Sequence, residues 1–175
     1  MLYWLLIIFA LVVIDQVTKM FAVHLLTAGQ SVDVIEGVFR FTYVENRGAA
    51  FGMLSEHRWV FMIISVIAIA LLLIYLWKYP PESKFAGMAI CMIAGGGIGN
   101  MIDRVKLGYV IDFLDFCAFP DLWMWVFNVA DAFVCVGGGM LVVWLIISTV
   151  KEAKEDKLKK LTADAVNAEG SGEQE

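Results

Sequence analysis

Four long apolar segments restrict this chain to a membrane fold. Each is close to the length of about 20 residues that an α-helix needs to cross a bilayer. Polar connections separate the segments, which cover residues 2–23, 59–77, 85–102 and 126–150. The composition agrees, because 61% of the residues are apolar and 18% are charged, against about 45–50% and about 25% in soluble domains. We predict an α-helical integral membrane protein with four transmembrane helices.

The distribution of basic residues predicts which way the spans run. Four spans place both termini on the same side of the membrane. The short second connection and the tail together carry seven Lys residues, and the long connections carry five Lys and Arg residues. The positive-inside rule then places both termini in the cytoplasm. We predict a membrane domain over residues 1–150, a charged and partly disordered cytoplasmic tail over residues 151–175, and outward-facing connections at 24–58 and 103–125.

The outward connections have local patterns of their own. Residues 38–45 are β-branched and aromatic, which predicts one or two short strands, and Gly37 marks a turn. Residues 116–125 place four aromatic side chains around Pro120, a composition suited to the lipid headgroup region. Both segments are therefore expected on the membrane surface.

Several function classes are excluded by what the sequence lacks. A net charge of −5 gives no basic field for nucleic acid. The three cysteines have no CxxC or CxxH spacing, which argues against a zinc or iron–sulfur site. No HExxH motif is present, and no GxSG motif lies in a span. The closest approach to a GxGD motif, residues 97–100, ends in Asn100 in place of the acid.

Polar residues within the apolar segments carry the functional signal, because a charge at the centre of a span costs about 2.5–3.5 kcal/mol. Asp15 and Lys19 are four residues apart and are expected to form an ion pair on one helix face. In the third segment, Gly95 and Gly99 have the spacing that lets another helix approach closely. Helix packing alone does not explain the polar residues that follow, which are Asn100, Asp103 and Arg104.

The fourth segment opens with FNVAD, residues 127–131. Asn128 is a candidate helix N-cap, with Asp131 in the first turn. A third polar cluster, VIDFLD at residues 110–115, places two more acids in an apolar setting. Five acids are thereby predicted near one membrane face: Asp15, Asp103, Asp112, Asp115 and Asp131.

Two chemistries use such acids. Two carboxylates in an apolar site share one proton, so one can accept a proton from water while the other polarises a carbonyl, as in aspartic proteases. A proton-coupled transporter uses similar acids, but it predicts them in the middle of several spans. The residues alone do not distinguish Asp112 from Asp115 or Asp103 as a member of the pair.

The motifs together resemble the lipoprotein signal peptidase family, also called signal peptidase II. The resemblance runs from Asp15 to about Val134 through five ordered motifs. These are DQVTK (15–19), ENRGAAFG (45–52), GGGIGNMIDR (95–104), VIDFLD (110–115) and FNVAD (127–131).

The resemblance implies an aspartic endopeptidase of the bacterial inner membrane that needs no metal or cofactor. Its partners would be diacylglyceryl-modified prolipoproteins, which it cuts just before the lipidated cysteine, and membrane lipids, and we expect a monomer. The catalytic pair would be Asp112 and Asp131, near the extracytoplasmic face. The supporting residues would be Asp15, Lys19, Asn46, Gly48, Asn100, Asp103, Arg104 and Asn128.

The resemblance also implies a small extracytoplasmic β-sheet cradle, which agrees with the strand prediction. As hypotheses, Arg104 balances the acid cluster, and Asn100 and Asn128 orient the pair or the substrate. Asp15, Lys19 and Asp103 hold the helices in register. The small residues 48–50 leave room for a peptide or an acyl chain close to the backbone.

Overall fold

The structure is a computed structural model that describes residues 1–27, 29–48, 58–79, 81, 83–118 and 125–171. Parts of three sequence interpretations lie outside these residues. They are the small residues after Gly48, most of the aromatic segment 116–125, and the last four residues of the tail.

The predicted apolar segments form helices. The helices are α1 (Leu2–Leu25), α2 (Arg58–Lys78), α3 (Lys84–Lys106) and α4 (Val129–Ser171). Within the described residues, three stretches are long and apolar enough to cross a membrane: Leu2–Leu25, Lys84–Lys106 and Val129–Lys157. α2 has 21 residues and covers the predicted segment 59–77. α4 includes most of the predicted tail, and a boundary at residue 150 stays a prediction.

The fourth helix begins later than predicted. Residues 126–127, which the sequence pattern places in the fourth span, form a short strand, and the helix begins at Val129. The reason is the Asn128 cap. Its Oδ1 accepts the Asp131 backbone N–H at 2.9 Å, and Asp131 Oδ2 accepts the Asn128 backbone N–H at 3.2 Å. This reciprocal capping satisfies free donors at the helix start.

A four-stranded antiparallel sheet accompanies the helices. Its strands are β1 (Ser31–Ile35), β2 (Phe39–Asn46), β3 (Val110–Phe116) and β4 (Val126–Phe127), in that spatial order. The strand predicted over residues 38–45 is confirmed as β2. The predicted turn at Gly37 is confirmed too, because its φ of +70° favours glycine. The sequence did not predict β3, where the VIDFLD motif lies.

α3 packs closely against α1 and α4 through small residues. A Cβ atom at Gly95 would lie 2.9 Å from Leu11 Cβ. A Cβ atom at Gly99 would overlap the Asp15 carboxylate, and one at Gly96 would overlap the Ala130 carbonyl oxygen. The packing role predicted for Gly95 and Gly99 is confirmed, and the polar groups of α1 and α4 reach α3 as a result.

The sheet is anchored on the end of α1. Ala22 and Leu26 pack with Tyr43 of β2 and with Ile111 and Phe113 of β3 in one buried apolar cluster. Asp103 Oδ2, near the end of α3, accepts the Ile111 backbone N–H at 3.3 Å. These contacts place β3 beside the polar ends of α1, α3 and α4.

Candidate active site

A buried lysine connects α1 to α3. The Lys19 ammonium lies 3.0 Å from Asp15 Oδ2 and 2.8 Å from Asp103 Oδ2, and it donates to Asn100 Oδ1 at 2.8 Å. Lys19 is 2% exposed, Asp15 is 0% exposed and Asp103 is 3% exposed. The predicted ion pair between Asp15 and Lys19 is confirmed. The three acceptors match the three N–H bonds of an ammonium, so the buried positive charge is compensated.

Gln16 is part of this cluster, although the sequence analysis did not single it out. Its Nε2 lies within hydrogen-bond distance of Asp15 Oδ2 (3.2 Å), Asp103 Oδ1 (3.0 Å) and the Gly99 carbonyl oxygen (3.2 Å). Its position inside DQVTK was the available signal. Asp15 Oδ1 also accepts the Ala130 backbone N–H at 3.0 Å, so the first turn of α4 is joined to α1.

Two asparagines connect the lysine cluster to Asp112 and Asp131. Asn128 Nδ2 donates to Asn100 Oδ1 at 3.0 Å and to Asp112 Oδ1 at 2.6 Å. Asn100 Nδ2 donates to Asp131 Oδ1 at 2.7 Å. Asn128 is fully buried and Asn100 is 8% exposed. A continuous hydrogen-bond network therefore runs from Lys19 to both carboxylates.

The two carboxylates come from different kinds of element. Asp112 lies on β3 and is 2% exposed, and its Oδ2 accepts the Asn46 amide of β2 at 2.8 Å. Asp131 lies in the first turn of α4 and is partly exposed. All four carboxylate oxygens accept a hydrogen bond, from Asn46, Asn128 and Asn100 side chains and from the Asn128 backbone.

Burial raises the pKa of the Asp112 carboxyl from its ordinary value of 3.8 to about 7, and the negative charge of Asp131 adds to this effect. The amides of Asn46 and Asn128 and the charge of Lys19 act in the opposite direction, because they stabilise the carboxylate. Asp112 therefore holds a proton over much of the range below neutral pH.

The other candidate residues have distinct places. The Arg104 guanidinium interacts electrostatically with Asp131, Asp112 and Asp103, and one of its nitrogens lies 3.4 Å from the Asn100 carbonyl oxygen. The Gly48 backbone N–H donates to Asn46 Oδ1 at 3.0 Å, which fixes the orientation of the Asn46 amide. Among the described residues, no buried side-chain nitrogen or oxygen lacks a hydrogen-bond partner.

Asp115 is the acid that the structure separates from the pair. It lies at the other end of β3, where its Oδ2 accepts a hydrogen bond from Arg40 Nε at 2.6 Å. The second acid of VIDFLD therefore pairs with Arg40 of β2. Asp112 is the acid of β3 that joins the hydrogen-bond network of Lys19, Asn100 and Asn128.

Comparison with known proteins identifies the family of this site. A model of the family described as signal peptidase (SPase) II matches residues 7–147. The chain belongs to the signal peptidase II family. All the polar residues of the network lie within the matched segment, and the resemblance seen in the sequence motifs is confirmed.

Individual relatives agree with the family model. The lipoprotein signal peptidase of Halothermothrix orenii is 39% identical over 139 residues, which are 79% of this chain and 92% of that protein. The lipoprotein signal peptidase of Clostridioides difficile is 41% identical over 146 residues, or 83% of this chain and 95% of that protein. The lipoprotein signal peptidase of Caldanaerobacter subterraneus subsp. tengcongensis is 48% identical over 130 residues, which are 74% of this chain and 86% of that protein.

Two solved structures described as bacterial membrane enzymes share the fold. One has a TM-score of 0.77 and 33% identity, covering 84% of this chain and 89% of that chain. The other has a TM-score of 0.73 and 34% identity, covering 82% and 92%. The predicted fold class, helices in a bacterial membrane with a small antiparallel sheet, is confirmed. Signal peptidase II proteins are membrane aspartic proteases, and this chain is one of them.

Proposed function

We propose that this signal peptidase II family member removes the signal peptide from diacylglyceryl-modified prolipoproteins, with Asp112 and Asp131 as its catalytic pair. The substrate class follows from the lipoprotein signal peptidases that the chain resembles. The observation that carries the pair is the asparagine bridge, because Asn128 contacts both Asp112 and Asp131 and Asn100 contacts Asp131.

The geometry supports a division of labour between the two acids. Asp112 is the buried member with the raised pKa, so it holds the proton that the pair shares. Asp131 lies at a helix N-terminus, where negative charge is favoured. In the reaction, Asp131 accepts a proton from water while Asp112 donates to the scissile carbonyl oxygen, and water adds to the carbonyl carbon. The proton held by Asp131 then passes to the leaving nitrogen as the C–N bond breaks, and one hydroxyl of the tetrahedral intermediate returns its proton to Asp112 as the new carbonyl forms.

Position in the membrane favours the same substrate. The pair lies at the ends of helices and on a strand, where a scissile peptide can reach water while a signal helix and two acyl chains stay in lipid. Anchoring by acyl chains concentrates such a substrate at the membrane. Both termini are proposed to be cytoplasmic, the site to lie near the extracytoplasmic face, and the enzyme to act as a monomer without a metal or cofactor.

The test is cleavage of a diacylglyceryl-modified prolipoprotein by purified protein in detergent, followed as a gel shift, beside the unmodified prolipoprotein. Asp112→Asn and Asp131→Asn should each lower the cleavage rate by about 10²–10⁴-fold, the range for loss of a general acid or base. Asp156→Asn is the matched control, because this exposed carboxylate lies on α4 in the charged segment that follows residue 150.

Cleavage by the wild type of the lipidated substrate alone, lost in both pair variants and kept in the control, is the expected result. Near-normal processing by a folded Asp112→Asn or Asp131→Asn protein would refute the catalytic pair. Absence of cleavage by folded wild-type protein would refute the proposed activity itself.

A further inference from the structure

The pairing of β2 with β3 changes register partway along the strands. At the β4 end of β3, Arg40 pairs with Asp115 and Phe41 with Leu114. Beyond the shift, Val44 pairs with Asp112 and Asn46 with Val110. Two residues of β2, 42 and 43, thus stand opposite the single residue Phe113 of β3, as in a β-bulge.

This bulge determines which face of the sheet Asn46 occupies. Paired residues of an antiparallel ladder share a face, and successive residues alternate between faces. Arg40 and Asn46 are six residues apart, so a regular strand would place both on the same face. Arg40 does share a face with Asp115, but Asn46 lies on the opposite face with Val110 and Asp112. If the same residues continued the register of Arg40 and Asp115 without a bulge, Asn46 would lie on the face away from Asp112. The hydrogen bond of 2.8 Å from Asn46 Nδ2 to Asp112 Oδ2 therefore depends on the bulge.

Asp115 binds one residue of β2 before the bulge and one residue within it. Its Oδ2 accepts hydrogen bonds from Arg40 Nε at 2.6 Å and from Thr42 Oγ1 at 2.9 Å. The Thr42 hydroxyl also lies 2.8 Å from Ser31 Oγ of β1. We call these four side chains the sheet clasp. Asp115 is only 8% exposed, and the Arg40 side chain that pairs with it is 41% exposed.

We propose that Asp115 is a positioning residue, which, through the sheet clasp, holds the β2 bulge in place and so keeps Asn46 on Asp112. The inference rests on the proposed catalytic role of Asp112. It assigns a function to the second acid of VIDFLD, which takes no part in the network of the catalytic pair.

The bond that the clasp secures affects the protonation of Asp112. Donation by Asn46 stabilises the ionised form and lowers the pKa of Asp112, against the effect of burial. Among the described residues, the charged groups that interact with Asp112 are Asp131, Lys19 and Arg104, and none of these three belongs to the clasp. Loosening the clasp should therefore change the titration of Asp112 through Asn46, which is an effect that simple loss of stability does not predict.

The experiment measures kcat, KM and the pH profile of lipoprotein cleavage for Asp115→Ala, Asn46→Ala and the double variant. We expect each single variant to lower kcat about tenfold, the effect of one lost charge-assisted hydrogen bond. KM should stay within about twofold, because neither substitution removes a proposed substrate contact. The alkaline limb of the profile, where Asp112 loses the proton that it donates, should move up by about one pH unit. The double variant should be no slower than Asn46→Ala alone.

Two milder variants keep the test valid if Asp115→Ala does not fold. Thr42→Val keeps the side-chain shape and removes one clasp bond, and it should shift the profile in the same direction by less. Asp115→Asn retains an acceptor oxygen and should recover most of kcat. Asp156→Asn is the matched control and should match the wild type.

Additive losses in the double variant, or an Asp115→Ala or Thr42→Val protein that folds and keeps the wild-type pH profile, would overturn the inference. Either result leaves the catalytic pair intact, because the wild type still cleaves. Loss of cleavage in Asp112→Asn is a separate measurement, so failure of the clasp and failure of the proposed activity are distinguishable.

Discussion

Replacement of Asp112 by Asn should change how the stability of the protein depends on pH. The folded protein holds a proton on Asp112 up to about pH 7, whereas the ordinary pKa of this carboxyl is 3.8. Between these values the folded state binds more protons than the unfolded state, so the free energy of unfolding falls as the pH rises. Each pKa unit corresponds to about 1.4 kcal/mol. The stability of the wild type relative to Asp112→Asn should therefore fall by about 4 kcal/mol between pH 4 and pH 8.

The comparison of two pH values isolates the carboxyl from other effects of the substitution. The amide introduced by Asp112→Asn would present an N–H group to the donor amide of Asn46 or Asn128, so one hydrogen bond is lost. The stability lost with that bond is the same at both pH values and cancels in the comparison. Thermal unfolding in detergent, followed by tryptophan fluorescence, is a suitable assay because Trp4 is buried in the core. The difference in Tm between the two proteins should change by on the order of 10 °C. Parallel Tm curves from pH 4 to pH 8 would show that burial does not hold a proton on Asp112.

Two further substitutions test how the helices are held together. Gly99→Ala should lower stability by about 1–3 kcal/mol, because its Cβ would overlap the Asp15 carboxylate, whereas Gly138→Ala, with nothing within 4 Å, should be neutral or slightly stabilising. Equal Tm values for these two variants would contradict the close approach of α1 and α3. Lys19→Met should lower stability by about 3–5 kcal/mol, because it leaves Asp15 and Asp103 buried without their cation. Lys151→Met removes only an exposed pair with an N–O distance of 3.8 Å and should change stability by less than about 1 kcal/mol; a wild-type Tm for Lys19→Met would refute the role of the buried cluster.

The helices of this fold follow from local sequence, and the sheet only partly does. Span length and hydropathy predict helices because a chain in lipid must satisfy its own backbone groups. The strand at residues 38–45 has the residue types and turn expected of a hairpin. β3 was not predicted, because its pairing partner β2 lies more than 60 residues earlier in the chain and VIDFLD is too short and too apolar to show alternation.

Local sequence also predicts only part of the site. The spacing of Asp15 and Lys19 predicts their ion pair, and the residue types of FNVAD predict a cap at Asn128. No local pattern indicates that Lys19 reaches Asp103 and Asn100, because these contacts depend on how closely α1 approaches α3. The choice of Asp112 over Asp115 likewise depends on strand pairing, since a β-bulge in the partner strand determines which donors each acid meets.

The start of α4 explains why the proposed pair lies at the end of a helix. Asn128 caps the helix through its backbone N–H and side-chain oxygen, and the same amide donates to Asp112 and Asn100. Capping the helix and assembling the carboxylates are therefore the same set of interactions. A shift of the helix start by one residue would rotate Asp131 by about 100° and separate it from Asn100. Because a helix start supplies free N–H groups for carboxylates and borders water, it provides both the ion-binding groups and the solvent that peptide hydrolysis requires.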